Sequence, residues 1–450
     1  MKKWICLGVG LLAIFVPQIF ALGATWQMLG IFAGSIWMWI TCSIEIGSIA
    51  CLSALCLLPG VTPANVFTSS FGNSTIIFLI FSFVLTYALS QTGVLRRVAT
   101  YFIDNPIAKR NTYCFMGLYF LSMLIIGSFM APTTVFILYF GIVQEIFTLL
   151  NLEKGDPLAK RLMVGTGFFA SISCAWTPIA HTFPIMALGY YETATGTAIS
   201  YIQYMKYSLP IGAILAVFAF FLLCIKVPHK YSFNAIHFEK TTVTKQEWVS
   251  LGTFLAVVVC WVITGIFPKV FVGLNALGTA WPAMIGCLIL ACVGCLNIKE
   301  GFTKGVSWPS IILCAATLAM GSFLTKDEFG IMPAVKSFME PLLSTYSPIL
   351  LIAAFAVVMT NLISNIVTTT VSFNLFVPVL IATFGLFNPI AATIMIGIGA
   401  SLAYALPSSI AHIAIAGGSG WATSKDMVLY GIPMMIVSIL AICAIGGLFA

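Results

Sequence analysis

Charge is scarce in this sequence. Asp, Glu, Lys and Arg make up 7% of the 450 residues, against 60% hydrophobic residues. Soluble domains carry about a quarter charged residues, so an ordinary water-soluble fold of this length is excluded. Other things are missing too. The 2-residue alternation of an outer-membrane barrel is absent. There is no Gly-rich phosphate loop ending in Gly-Lys and no His-Glu-x-x-His, which removes those forms of nucleotide hydrolysis and metalloprotease chemistry. The net charge of +7 is spread over short loops, so no nucleic-acid partner is expected. The 13 cysteines fall mostly inside hydrophobic runs and read as small apolar residues. Cys292 and Cys295 have a metal-like spacing but no second ligand pair.

What is present is a succession of apolar runs of about 20 residues, the length a helix needs to cross a bilayer. The chain reads as an all-α, multi-pass protein whose surroundings are the lipid bilayer of the cytoplasmic membrane. Lys2 and Lys3 place the N-terminus in the cytoplasm. The first apolar run, to Leu22, reads as a retained helix rather than a cleaved signal peptide.

One stretch stands out, Thr360 to Val371. Seven of its 12 residues carry a hydroxyl or an amide: Thr360, Asn361, Ser364, Asn365, Thr368, Thr369 and Thr370. Strongly apolar runs flank it. Polar groups at membrane depth are tolerated where they face protein or water, so the stretch reads as the lining of a site. It has an echo 236 residues earlier, where Ser128 corresponds to Ser364 and Thr133-Thr134-Val135 to Thr369-Thr370-Val371 (364 − 128 and 369 − 133). Ser74-Thr75-Ile76 and Ser310-Ile311-Ile312, Gly93 and Gly330, and Ile179-Ala180-His181 and Ile410-Ala411-His412 extend the correspondence in the same order.

Loop charge gives the repeat a sense. Residues 93–111 hold Arg96, Arg97, Lys109 and Arg110 against Asp104, and residues 150–161 are also net basic. Both loops are expected inside, so the apolar stretch 113–149 between them, interrupted at Ala131-Pro132-Thr133-Thr134, reads as a re-entrant hairpin. Residues 326–346, the counterpart of 93–111, are net acidic and are expected outside. Opposite sign at corresponding loops is the signature of an inverted repeat, as found in secondary transporters. The second hairpin is 348–388. Broken helices are expected around Trp176 to His181 and across 390–420, with Pro178 and Pro407 at the breaks. His229 and His237 lie in the polar stretch 226–247, whereas His181 and His412 lie in apolar surroundings.

Broken helices expose amides that attract anions and carbonyls that attract cations. The candidate substrate contacts are Ser128, Thr133, Thr134, Thr177, Pro178, His181, Ser364, Asn365, Ser408, Ser409 and His412. Thr360, Ser364, Asn365 and the Ala411 carbonyl have the oxygen chemistry for a small cation such as sodium; no cofactor beyond this coupling ion is expected. The bland alternatives are Ser and Thr hydroxyls bonded back to their own helices and neutral histidines bonded to backbone carbonyls. A carrier of small anions, an intramembrane enzyme using the two histidines, and a channel are the three function classes left. No acidic residue in a spanning segment accompanies either histidine, which disfavours the enzyme, and paired interrupted hairpins favour the carrier over the channel.

Several segments together resemble the divalent anion:sodium symporter family of the ion-transporter superfamily: Trp39-Ile40-Thr41, Leu52 to Pro59, Phe71 to Ile76, Thr92-Gly93, Ser364-Asn365, Thr177-Pro178-Ile179, Ser401 to Pro407 and Gly418-Ser419-Gly420. The resemblance spans nearly the whole chain. It implies about 11 spans plus two re-entrant hairpins, a homodimer, and a transport unit moving like an elevator against a scaffold. The scaffold begins with helices over 1–60. The first repeat half then covers 61–227, a cytoplasmic linker 228–247 and the second half 248–450. Di- or tricarboxylates or sulfate are the implied cargo, driven by sodium or by exchange. The sequence departs from the family where Ser128-Phe129-Met130 replaces Ser-Asn-Thr, Ile366 replaces a Thr, and Ala180-His181 and Ala411-His412 replace Gly-Thr and Pro-Pro. These departures leave Ser128 and Ala180 as the weaker of two sodium sites. They also suggest proton coupling through His181 and His412 as the alternative drive.

Overall fold

The structure is a computed structural model that describes residues 2–449 apart from 226, 229, 230, 239–241, 268, 325 and 383–386. Of the groups read from the sequence, Lys226, His229, Lys230, Glu239 and Lys240 lie outside the described residues. Helices α1 (Lys2–Ile19), α2 (Ala24–Thr41) and α3 (Ile44–Leu55) pack side by side. Gly34 lets α2 approach the backbone of α1, where a Cβ would sit 2.9 Å from the Gly10 carbonyl oxygen. Thr62 and Asn65 cap α4 (Pro63–Ser69) reciprocally. A 47° bend leads to α5 (Ser74–Ser90), capped by Asn73.

Residues 93–111 are not a plain loop. They hold α6 (Val94–Ile103), which buries Leu95, Ala99 and Ile103 along one face. Counting charge concealed this helical period. Then come α7 (Thr112–Gly127) and α8 (Pro132–Leu149). They fold back on one another: the Tyr119 and Tyr139 rings lie 5.4 Å apart, and the Tyr139 hydroxyl donates to Ser122 at 2.7 Å. A straight continuation would separate residues 20 apart by about 30 Å. The break therefore makes a hairpin.

Helix α9 (Pro157–Trp176), started by Asp156 and Pro157, gives way to a 3-10 turn at Pro178–Ala180 and then to α10 (Thr182–Thr195). Gly196, in the left-handed region, closes α10, and α11 (Tyr201–Cys224) follows. The next helices are α12 (Lys245–Ile266), α13 (Val272–Ala276), α14 (Ala280–Cys292) and α15 (Ile298–Glu300). A single π-turn, Gly301–Gly305, joins α15 to α16 (Trp308–Leu324) across a 70° bend.

The order found in α5–α11 then recurs. The stretch 326–346 also holds a helix, α17 (Ile331–Thr345), which buries Ile331, Met339 and Leu343. Helices α18 (Pro348–Leu362) and α19 (Asn365–Ala382) form the second hairpin, with the Phe355 and Phe376 rings 5.5 Å apart. Phe355 stands 236 residues after Tyr119 (355 − 119), so the corresponding ring braces each hairpin. The second broken helix is α20 (Pro389–Gly399) and α21 (Ala411–Gly418), and α22 (Ser424–Phe449) ends the order.

Among the described residues, five helices are long and apolar enough to cross a membrane alone, and up to eight if each bent pair counts as one span. One hairpin arm, α7, and one broken half, α20, are among the five shorter apolar helices.

Candidate functional site

The first hairpin and the first broken helix are stitched together at their irregular points. Ser128 ends α7, and its hydroxyl donates back to the Leu124 carbonyl at 2.6 Å. Its own carbonyl accepts the Thr177 hydroxyl from the break between α9 and α10. The loose carbonyls ending α9 are also taken, Trp176 by the Ser208 hydroxyl at 2.6 Å and Ala175 by the Tyr204 hydroxyl at 3.0 Å. Pro178 opens the 3-10 turn that follows.

The amide ends are left differently. Helix α8 begins at Pro132 with Ala131 as its N-cap, and α10 begins at Thr182 with His181 as its N-cap; neither has a side-chain cap. Uncapped first-turn amides form a local anion site, reinforced by the helix dipole. Both helix starts open into one cavity of about 310 Å³. Its walls include Thr133 and Thr134 of α8, His181 and Thr182 at α10, Thr86, Tyr87 and Ser90 of α5, and Ser307 and Ser310 at the start of α16. Ile410, just before α21, also reaches it. Among the described residues no Asp or Glu lines the cavity, and Lys304 is its one Lys or Arg. The Lys304 ammonium pairs with Glu300 at 3.2 Å, and the Tyr87 hydroxyl donates to the same carboxylate at 3.3 Å. His181 is 7% exposed, packs edge-on to Phe183, and leaves Nδ1 without a partner.

The second hairpin is fastened to the second break. The Thr360 hydroxyl donates to the Ala400 carbonyl at 2.7 Å. Asn361 uses its whole amide: Nδ2 donates to Val357 and Leu402 carbonyls at 2.8 and 3.0 Å, and Oδ1 accepts from the Tyr404 and Ala405 amides at 2.7 and 2.9 Å. Four residues on, Asn365 is 1% exposed and neither amide atom has a partner among the described residues. Ser364 beside it is half-buried. The Ser408 hydroxyl reaches the Leu362 carbonyl at 3.4 Å, and Ser409 bonds to Leu406 at 2.6 Å.

Ala411 starts α21, and His412 next to it is fully buried. Its Nε2 lies 2.9 Å from the Ser171 hydroxyl, which donates to the Ala403 carbonyl at 2.7 Å. With that single proton committed, the imidazole Nε2–H is the donor and unpartnered Nδ1 carries the lone pair, an assignment made from the network.

Of the sequence candidates, Thr133, Thr134 and His181 line the cavity, while Ser128, Thr177 and Pro178 form the frame behind it. Ala180 lines a much smaller adjoining space. Thr360, Ser364, Asn365, Ser408, Ser409, Ala411 and His412 are not among the cavity's lining residues. The sequence reading missed Thr86, Tyr87 and Ser90, polar residues one turn apart near the end of an apolar helix. It also missed Lys304, which with Lys299 and Glu300 forms a short charged cluster at the head of a span.

The model of the citrate transporter family, CitMHS, matches residues 35–397. An uncharacterized transporter of Schizosaccharomyces pombe is 25% identical over 406 residues, covering 86% of this chain and 44% of that protein. The chain thus spans less than half the length of that relative. An uncharacterized transporter of Haemophilus influenzae is 24% identical over 391 residues, covering 84% of this chain and 82% of its own. The fold is similar to the crystal structure of the Alcanivorax borkumensis YdaH transporter, with a TM-score of 0.55, 11% identity, and coverage of 85% and 87% of the two chains. The family match lies within the ion-transporter superfamily to which the sequence resemblance pointed. The chain belongs to the citrate transporter family, a family of membrane transporters.

Proposed function

We propose that the chain is a secondary carrier of small di- or tricarboxylates, citrate first among them, and that the cavity between α5, α8, α10 and α16 receives the anion. The observation that carries this reading is the convergence of two uncapped helix starts on a cavity lined by hydroxyls and one lysine, with no carboxylate. Such a lining favours negative charge at membrane depth, where an uncompensated charge is costly. The family's name supports the choice of citrate.

Sodium coupling in the manner of the divalent anion:sodium symporters is part of this proposal, with Ser364 and Asn365 at its centre. The unsatisfied Asn365 amide supports it, because a buried amide with no partner is destabilising unless something fills the gap. An elevator-type movement, a homodimer, a cytoplasmic N-terminus and a cytoplasmic-membrane location complete the expectation. A proton-coupled carrier is the second reading, favoured by the free Nδ1 of His181 in the cavity wall.

Uptake of labelled citrate, succinate and sulfate into liposomes, with and without sodium and at several pH values, decides between these readings. Saturable citrate uptake that needs sodium supports the first reading. Sodium-independent uptake that strengthens in acid and loses this dependence in His181→Gln, but not in His412→Gln, supports the second. No uptake or exchange of any carboxylate overturns the carboxylate assignment.

A further inference from the structure

Helix α10 has two ends, and each opens into a cavity of opposite character. At its carbonyl end lies a second cavity of about 320 Å³, enclosed by α5, α10, α11, α12 and the α13–α14 turn. Gly189 separates the two spaces by letting α10 press on α5, since a Cβ there would sit 2.4 Å from the Thr75 hydroxyl.

Glu192, in the last turn of α10, is the one charged residue among the described residues that line this second cavity. It is half-buried, and its carboxylate makes no ion pair or side-chain hydrogen bond among the described residues. No Lys, Arg or His among the described residues shares the lining. The wall beside it is aromatic: Phe78 lies 5.7 Å from Tyr201 and 5.4 Å from Trp261, and the latter two are 6.0 Å apart. The Trp261 indole N–H is committed to the Thr279 carbonyl at 2.8 Å, which fixes the ring. The helix ends are mixed: the carbonyl ends of α10 and α12 reach the cavity and the amide ends of α5 and α11 there are capped by Asn73 and Ser200, whereas α14 starts beside it without a side-chain cap, so the sign of the site rests on the Glu192 carboxylate.

A partly desolvated carboxylate with no partner attracts a cation. A hard metal ion needs several oxygen ligands of suitable geometry, and no group of three metal-binding side chains occurs among the described residues. An organic cation needs one counter-charge and aromatic faces. We propose that this cavity binds a small alkylammonium cation, with Glu192 as counter-charge and Phe78, Tyr201 and Trp261 as the wall against its alkyl groups.

The test is thermal unfolding of the purified full chain in detergent, titrated with tetramethylammonium chloride and, at equal ionic strength, with sodium chloride. A saturable rise in Tm is expected with tetramethylammonium alone. Glu192→Gln raises the half-saturating concentration about tenfold or more. Asn275→Trp, on the exposed rim, abolishes the response by filling the entrance. Equal responses to the two salts overturn the proposal, as does a parent-like half-saturation in Glu192→Gln. If Glu192→Gln does not fold, an unchanged titration of Asn275→Trp overturns it instead. The readout is independent of anion transport, so failure of either reading leaves the other standing.

Discussion

Asn361 and Asn365 sit four residues apart, and their surroundings give them opposite tasks. Asn361 closes four hydrogen bonds, three of them across to the second break. Asn365 closes none with its amide. Asn361→Ala leaves the Tyr404 and Ala405 amides without their acceptor and is expected to cost about 2–4 kcal/mol of stability, read as a lower Tm. Asn365→Ala is expected to change Tm little and to weaken sodium activation of uptake roughly 10-fold or more. The opposite ranking of the two variants in Tm would remove the distinction. Composition marked this stretch as a site, but both residues are Asn. Only the position of the break, which puts one residue opposite Leu402 and the other at a helix start, separates them. Lys304 makes a related point. Its partner Glu300 competes with an incoming anion, so Lys304→Gln should raise KM for citrate about three- to tenfold, whereas Glu300→Gln should lower it. Liposome uptake over a range of citrate concentrations measures both.

At the scale of elements, the breaks and hairpins were legible because polar clusters and proline interrupt long apolar runs at Pro132, Thr177-Pro178 and Ser364-Asn365. Helices α6 and α17 were not. Their charges were used to assign sides, and the apolar residues between them, Leu95, Ala99 and Ile103 in one and Met339 and Leu343 in the other, were passed over. Helix α6 is held down by the linker. Asp104 at its end accepts from the Phe238 amide at 3.0 Å and pairs with Lys109 at 2.6 Å. Burial pushes the Asp104 carboxyl up, but the Lys109 ammonium and the Phe238 amide outweigh it and hold the group below its ordinary value. A lowered folded-state value means that the contribution is present above the unfolded value of about 3.9 and is lost as pH falls below it. Protease cleavage within 228–247 should therefore rise as pH falls below about 4. Asp104→Asn should show the faster cleavage already at neutral pH. Equal cleavage of variant and parent at neutral pH would show that the linker is held by other contacts.

At the scale of the molecule, the recurrence of α5–α11 in α16–α22 matches the repeat read from short sequence echoes, because the same order of breaks recurs at nearly constant spacing. The cavity was harder to foresee. Its lining comes from five places far apart in the chain, and the stretch of α5 from Phe83 to Ser90 carries none of the short echoes that touch the other four. Sidedness is open to a direct check. Single cysteines at positions 105 and 153, in a cysteine-free background, are expected to label from the same side of the membrane, and a cysteine at position 346 from the other. Labelling of 105 and 153 from opposite sides would contradict the re-entrant reading of α7 and α8.

The fasteners described at the two breaks also limit how the molecule can move. Thr177 ties the first hairpin to the first break, Thr360 and Asn361 tie the second hairpin to the second, and Ser171 joins α9 to Ala403 and His412. Pulling the second hairpin free alone would open the three bonds of Asn361 to Leu402, Tyr404 and Ala405 together with that of Thr360. At about 1 kcal/mol each, such an excursion is populated by roughly one molecule in a thousand. Displacing all four irregular elements together opens none of these bonds. Among the conformations that thermal motion samples, those in which the four elements travel as a group therefore dominate those in which one leaves the others behind.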